Sequence, residues 1–114
     1  VLEDLTTTAL HSALDGLSQR QRTTADNISN IETPGFLAGR VTFEDSLRAA
    51  LADGDDPAGV IPTVARSLEP TREDGNNVNL DHEVIANVDT NLRFELMLRA
   101  YDDRFGLLRT AIRG

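Results

Sequence analysis

LDHEVIANVDTNLRFELMLRAYDDRFGLLRTAIR, residues 80–113, decides the fold. Leu80, Val84, Asn87, Asn91, Phe94, Leu98, Tyr101, Phe105, Leu108 and Ile112 recur at alternating spacings of four and three. That period draws one line along a helix and predicts a long helix packed side by side with another. The helix is expected to start after Asn79, with Asp81 and Glu83 at its positive end and Arg109 and Arg113 near its negative end. Gly106 is a weak point inside it, costing roughly 1 kcal/mol relative to Ala.

The partner stretch lies at the other end of the chain. Leu10, Leu14, Leu17, Gln21, Thr24, Ile28 and Ile31 repeat the same spacing. A first helix is expected to begin near Thr6–Thr8, whose hydroxyls can cap free N–H groups, and to stop at Thr33-Pro34-Gly35. Pro34 lacks an N–H and disfavours helical geometry at Thr33, and Gly35 permits a positive φ. A short middle helix is expected over 43–52. Thr42 and Asp45 form a capping-box pattern there, and Phe43, Leu47 and Leu51 line one face. Residues 53–79 carry no period and are rich in Gly, Pro, Asp and Asn, which predicts a long flexible connecting loop with extended pieces.

The expected fold is therefore mainly α. Two long terminal helices form an antiparallel coiled-coil-like hairpin, with a short middle helix and the loop between them. One domain spans 1–114: a first helix with its stop over 1–34, the middle over 35–79, and the last helix over 80–114. If the helix ends align, residue i lies opposite residue 118 − i, which sets Leu17 against Tyr101 and Leu14 against Phe105. Such a hairpin buries one stripe per helix. Leu5, Ile85, Val88, Leu92, Met97 and Leu107 fall off that stripe, so further subunits are expected to cover them.

Composition narrows the function. The chain has 114 residues, 19 acids and 11 bases, a net charge of −8, and every base is Arg. That balance leaves no basic face for nucleic acid or an anionic membrane surface. Without cysteine there is no disulfide, thiolate metal site or Cys nucleophile. No apolar run approaches the ~18 residues of a membrane-spanning helix, and Glu3 and Asp4 stand where a cleavable signal peptide would be basic. Aromatic residues make up 4%, fewer than a compact core of this length usually employs.

Ala25-Asp26-Asn27-Ile28-Ser29-Asn30-Ile31-Glu32-Thr33-Pro34-Gly35-Phe36 resembles the N-terminal signature of flagellar basal-body rod proteins, A-x-N-I-A-N-x-x-T-P-G-[YF]. The matching positions are Asn27, Ile28, Asn30, Thr33, Pro34, Gly35 and Phe36. Asp74-Gly75-Asn76-Asn77-Val78-Asn79-Leu80-Asp81 and the ending Arg104-Phe105 through Arg113-Gly114 extend the resemblance to nearly the whole chain outside 53–70. Ser29 stands where Ala is common, and Phe36-Leu37 where Tyr-Lys is common. Neither change alters the helix stop.

The resemblance implies a structural subunit of the bacterial flagellar basal-body rod, in its proximal part. It implies type III export without a cleaved signal peptide, a periplasmic position, and self-assembly through the terminal helices. The implied partners are other rod subunits, further copies of the chain, and export-gate and rod-base adaptor proteins. No cofactor, small-molecule substrate or nucleic acid is implied. The expected assembly seam comprises Leu10, Leu14, Leu17, Ile28, Phe94, Leu98, Tyr101, Phe105, Leu108 and Ile112. Phe43 and Leu47 fit the Phe-x-x-x-apolar pattern linked to export-gate recognition in this family, and equally serve to dock the middle helix.

Chemistry-bearing motifs are thin. His82 stands between Asp81 and Glu83, but helical neighbours point about 100° apart and cannot converge on one ion. Asp53-Gly54-Asp55-Asp56-Pro57 lacks the Gly and Glu that a calcium loop needs at its sixth and twelfth positions, which hold Ala58 and Val64. No Gly-x-Ser-x-Gly elbow or glycine-rich phosphate loop occurs, so no enzyme is expected. The competing class is a soluble helical secretion chaperone or adaptor. The Asn-Ile-x-Asn…Thr-Pro-Gly signature and the apolar seams at both ends favour the rod subunit.

Overall fold

The computed structural model describes residues 4–113, with the side chains of Leu108 and Arg113 outside the described set. The chain order is α1 (Leu5–Ser29), β1 (Gly39–Thr42), α2 (Glu44–Asp53), a 3-10 turn (Pro57–Gly59), β2 (Thr63–Arg66) and α3 (Leu80–Arg113). The two long helices, the short middle helix and their antiparallel hairpin match the sequence expectation. No helix among the described residues is long and apolar enough to cross a membrane.

The helix ends differ in detail. Asp4, not Thr6–Thr8, caps α1: its carboxylate accepts the Thr7 N–H at 2.9 Å. Thr7 is instead buried. α1 stops at Ser29, before Pro34 acts, because Asn30 turns back on the last turn and donates its side-chain N–H to Asp26 O at 2.8 Å. The Thr42–Asp45 capping box does not form. Phe43 precedes α2 without a side-chain cap, and the Glu44 carboxylate is committed to Arg20. α3 begins after Asn79 as expected, with the Asn79 side chain accepting the His82 N–H at 3.1 Å.

A two-stranded sheet joins these elements. β1 and β2 pair antiparallel, Gly39 opposite Arg66 through Thr42 opposite Thr63. Strands of four residues, one of them exposed throughout, carry almost no periodic signal, which is why the sequence showed only extended pieces. The core sits where α1, β1 and α2 meet. Leu17, Val41 and Phe43 are buried there, covered by Ala13, Leu47, Val60, Phe94 and Met97. Gly16 makes this possible, because a Cβ at that position would lie 2.5 Å from the Phe43 ring.

The hairpin register is corrected by the structure. His11, not Leu17, lies beside Tyr101, with ring centroids 6.3 Å apart. Gln21 bonds Asn91 at 2.8 Å, and Asn27 bonds Glu83 at 3.1 Å. Opposed residue numbers thus sum to 110–112 rather than 118. The cause is the connector, which fastens the start of α3 to the turn after α1. Asn76 donates to Asn30 O and Thr33 O, both at 2.9 Å, and Gly35 N–H donates to Asp74 O at 2.8 Å.

The face that α3 turns inward is also corrected. Glu83 and Thr90 are buried, and Phe94, Met97 and Tyr101 are half-buried. Leu98, Phe105 and Ile112 are exposed, at 42%, 40% and 67%. Covering the Phe43 cluster needs Phe94 and Met97 together, and pairing Arg40 needs Glu83. Both demands rotate α3 away from the line drawn by its most apolar residues.

Candidate functional site

The signature residues converge on one junction, where the end of α1, β1 and the start of α3 meet. Asn27 is its centre and is 1% exposed. Its side-chain oxygen accepts the Gly39 N–H at 2.8 Å, and its N–H₂ donates to Gly39 O at 3.0 Å and to Glu83 Oε2 at 3.1 Å. Glu83, also 1% exposed, takes Arg40 Nη1 on its other oxygen at 2.8 Å. A buried carboxylate is tolerated only with such partners.

Strand geometry explains why a side-chain amide is needed. Ser67 N–H donates to Ala38 O, so the rungs at 40 and 42 face β2, and Gly39 and Val41 point their backbone groups the other way. Asn27 takes both groups of Gly39, and Arg20 donates to Val41 O at 2.6 Å. α1 therefore closes the outer edge of β1 with two side chains. Asn77 closes the strand end: it accepts Ala38 N–H at 2.7 Å and donates to Ser67 O and Glu69 O at 3.1 Å.

Arg20 carries a second duty. It forks onto Glu44 at 2.7 and 2.8 Å and lies over the Phe43 ring, 5.1 Å from its centroid. The hydrogen bond from Arg20 outweighs partial burial and lowers the Glu44 carboxyl from 4.5 to about 2. The other signature residues shape the turn. Thr33 donates its hydroxyl to Asn30 Oδ1 at 3.0 Å, Gly35 adopts φ 75°, and Phe36 stacks under Arg66 at 5.3 Å. Pro34 is exposed and Ile28 half-buried.

The profile of the family described as flagella basal body rod protein matches residues 9–36, the stretch that holds Arg20, Asn27 and the turn after α1. A flagellar basal body rod protein FlgB of Borreliella burgdorferi is 32% identical, over 76% of this chain and 80% of that protein. The chain belongs to the FlgB family of flagellar basal body rod proteins. FlgB of Escherichia coli is 30% identical over 77% of the chain and 78% of its own length. FlgB of Bacillus subtilis is 24% identical over 92% and 91%. The chain is thus a structural component of the flagellar basal-body rod. The chaperone alternative finds no support in these comparisons.

Within this FlgB fold the expected seam residues divide. Leu17 and Phe94 close the core, and Leu10, Leu14, Ile28 and Tyr101 are half-buried along the hairpin. Leu98, Phe105 and Ile112 face outward, and the Leu108 side chain lies outside the described residues. Of the Phe43–Leu47 pair, Phe43 is 4% exposed and Leu47 half-buried, so both dock the middle helix. The sequence reading missed the roles of the buried Asn76, Asn77 and Glu83 and of the half-buried Arg20 and Arg40. Their signal is faint: a polar residue that becomes buried looks in sequence like any solvated one.

No group of three or more metal-ligating side chains occurs among the described residues. What the structure offers instead is uncovered apolar surface. Ile85, Val88, Leu92 and Leu96 are 52–67% exposed along the back of α3, and Leu80 and Leu107 add 49% and 65%.

Proposed function

We propose that the chain builds the proximal part of the rod, where its terminal helices join copies of itself and other rod subunits. The observation that carries this is the apolar line left uncovered on α3. Its inward face mixes Glu83, Thr90 and Arg104 with Phe94, Met97 and Tyr101, while Ile85, Val88, Leu92 and Leu96 face out. A helix with this arrangement leaves part of its hydrophobic gain to be made against a neighbour. Leu98, Phe105 and Ile112 add exposed apolar surface away from that line.

Delivery in this reading is by type III export of an unfolded chain to a periplasmic site. Phe43 can meet an export gate only in that state, since folding buries its ring against Gly16 of α1. Rod-base adaptor proteins are the expected first neighbours.

The test separates assembly from export. Leu92→Asp puts a charge on the exposed line without touching the core. The expected result is secreted subunit at the native level and cells that do not swim. Normal swimming would remove the outer face of α3 from the assembly surface.

A further inference from the structure

The described residues hold a long apolar groove on one flank of the hairpin and the exposed pair Leu98 and Phe105 on the other, apart from the outer line of Ile85, Val88, Leu92 and Leu96. The groove runs between α1, α2 and α3. One hollow, about 320 Å³, lies beside Leu17, Phe43 and Leu47; the next, about 310 Å³, lies beside Leu5, Leu10 and Leu51. Ala13, Leu47, Leu51 and Met97 line both, so the hollows are continuous.

From α3 the groove receives Arg93 and Met97. Successive helical residues turn by about 100°, so Leu98 lies across the inward line of Thr90, Phe94 and Tyr101 from Met97. Leu98 and Phe105 share that far flank and are 42% and 40% exposed. They stand seven residues apart, about 10.5 Å along the axis. Leu10 and Leu17, which mark the two hollows, have the same separation in sequence.

We infer that Leu98 and Phe105 of one copy seat in the two hollows beside Leu10 and Leu17 of the next copy. This rests on the self-assembly reading above and says which surfaces meet. Two knobs one heptad apart against two hollows one heptad apart is the geometry of packed helices. A second copy is the occupant because each copy carries both halves on opposite flanks. Such a contact leaves a free groove at one end and a free Leu98–Phe105 ridge at the other, so it propagates instead of closing into a pair. Two seated side chains make a small contact beside the ~800 Å² per partner of a stable two-body interface. Single contacts are weak, and a series of them holds.

The chain has no cysteine, so introduced thiols report alone. The double variant Leu47→Cys/Phe105→Cys replaces the native chain in flagellated cells, and purified basal bodies are oxidised. The expected product is a ladder of dimers, trimers and larger species. Leu51→Cys/Leu98→Cys is the second pair and should give the same ladder. Leu92→Cys, labelled with a thiol dye, counts copies per basal body independently of the groove. Several copies per rod with no ladder from either pair, or with products that stop at dimers, overturns the ridge-in-groove contact and leaves self-assembly standing. One copy per rod overturns self-assembly itself.

Discussion

Asn27 holds three hydrogen bonds inside the protein through one planar amide that both donates and accepts, and Gln would carry the same group one methylene too far out. Asn27→Ala strands the Gly39 backbone groups and one oxygen of Glu83. Unsatisfied buried groups cost about 1–3 kcal/mol each, so a loss of roughly 3 kcal/mol is expected, read as a lower urea midpoint of the isolated subunit. Gly16 sets two effects against each other. Ala is the better helix former by about 1 kcal/mol, but its Cβ would meet the Phe43 ring at 2.5 Å. Overpacking of this kind costs about 1–3 kcal/mol, so Gly16→Ala should destabilise on balance. A raised melting temperature for that variant would show that the ring yields freely. Glu44 gives a pH signature. Its carboxyl titrates near 2 in the folded chain against 4.5 ordinarily. A depressed folded value means that its contribution is complete above 4.5 and lost as pH falls toward 2. The stability gap between the native chain and Glu44→Gln should therefore narrow across that window. A gap independent of pH there would place the stabilisation outside the Arg20–Glu44 pair.

At the scale of elements, thiols test the register. His11→Cys/Tyr101→Cys should be joined within one subunit by a short bifunctional thiol crosslinker, because the native side chains meet with ring centroids 6.3 Å apart. Leu17→Cys/Tyr101→Cys should not, because position 17 is six residues, about 9 Å, further along α1. The reverse outcome would restore the alignment that the apolar pattern suggested. That pattern revealed both long helices, the middle helix and the helix start at Leu80, because burial leaves a period in sequence. It did not reveal which line of α3 faces inward. Leu98, Phe105 and Ile112 are more apolar than Glu83 and Thr90, and hydrophobicity alone assigns the more apolar line to the hairpin. Three-dimensional demands decided otherwise: Arg40 needs a carboxylate, and Phe43 needs a lid. The β1–β2 pair escaped for another reason. Its strands are short, and its stability lies in Asn27, Arg20 and Asn77, whose roles depend on partners far away in sequence. The Asn27-to-Phe36 stretch was legible as a family mark, but the physical purpose of Asn27 needed the strand edge beside it.

The whole molecule is a narrow blade, 64 × 27 × 14 Å, with a radius of gyration of 17.5 Å. A compact chain of this length would have about 13 Å. So little depth leaves room for a core of few residues, and the outer side of α3 gains nothing from its own subunit. In dilute solution the distal turns of α3 are expected to fray, and far-ultraviolet circular dichroism should show helix rising as subunits polymerise. A fully helical, cooperatively melting monomer at micromolar concentration would contradict this. The two sides of α3 also differ in their response to temperature. Toward α1 the helix has, besides Phe94 and Met97 over Leu17, polar pairs such as Arg104 with Asp4 and Asn91 with Gln21, whose attraction does not depend on freeing water from oily surface. Its outer side, with Ile85, Val88, Leu92 and Leu96, gains stability only through that release, which weakens on cooling. Chilled rods should accordingly loosen between subunits while each blade keeps its own hairpin closed, and sedimentation of isolated rods at ice temperature and again after warming would show the joints failing first and re-forming with heat.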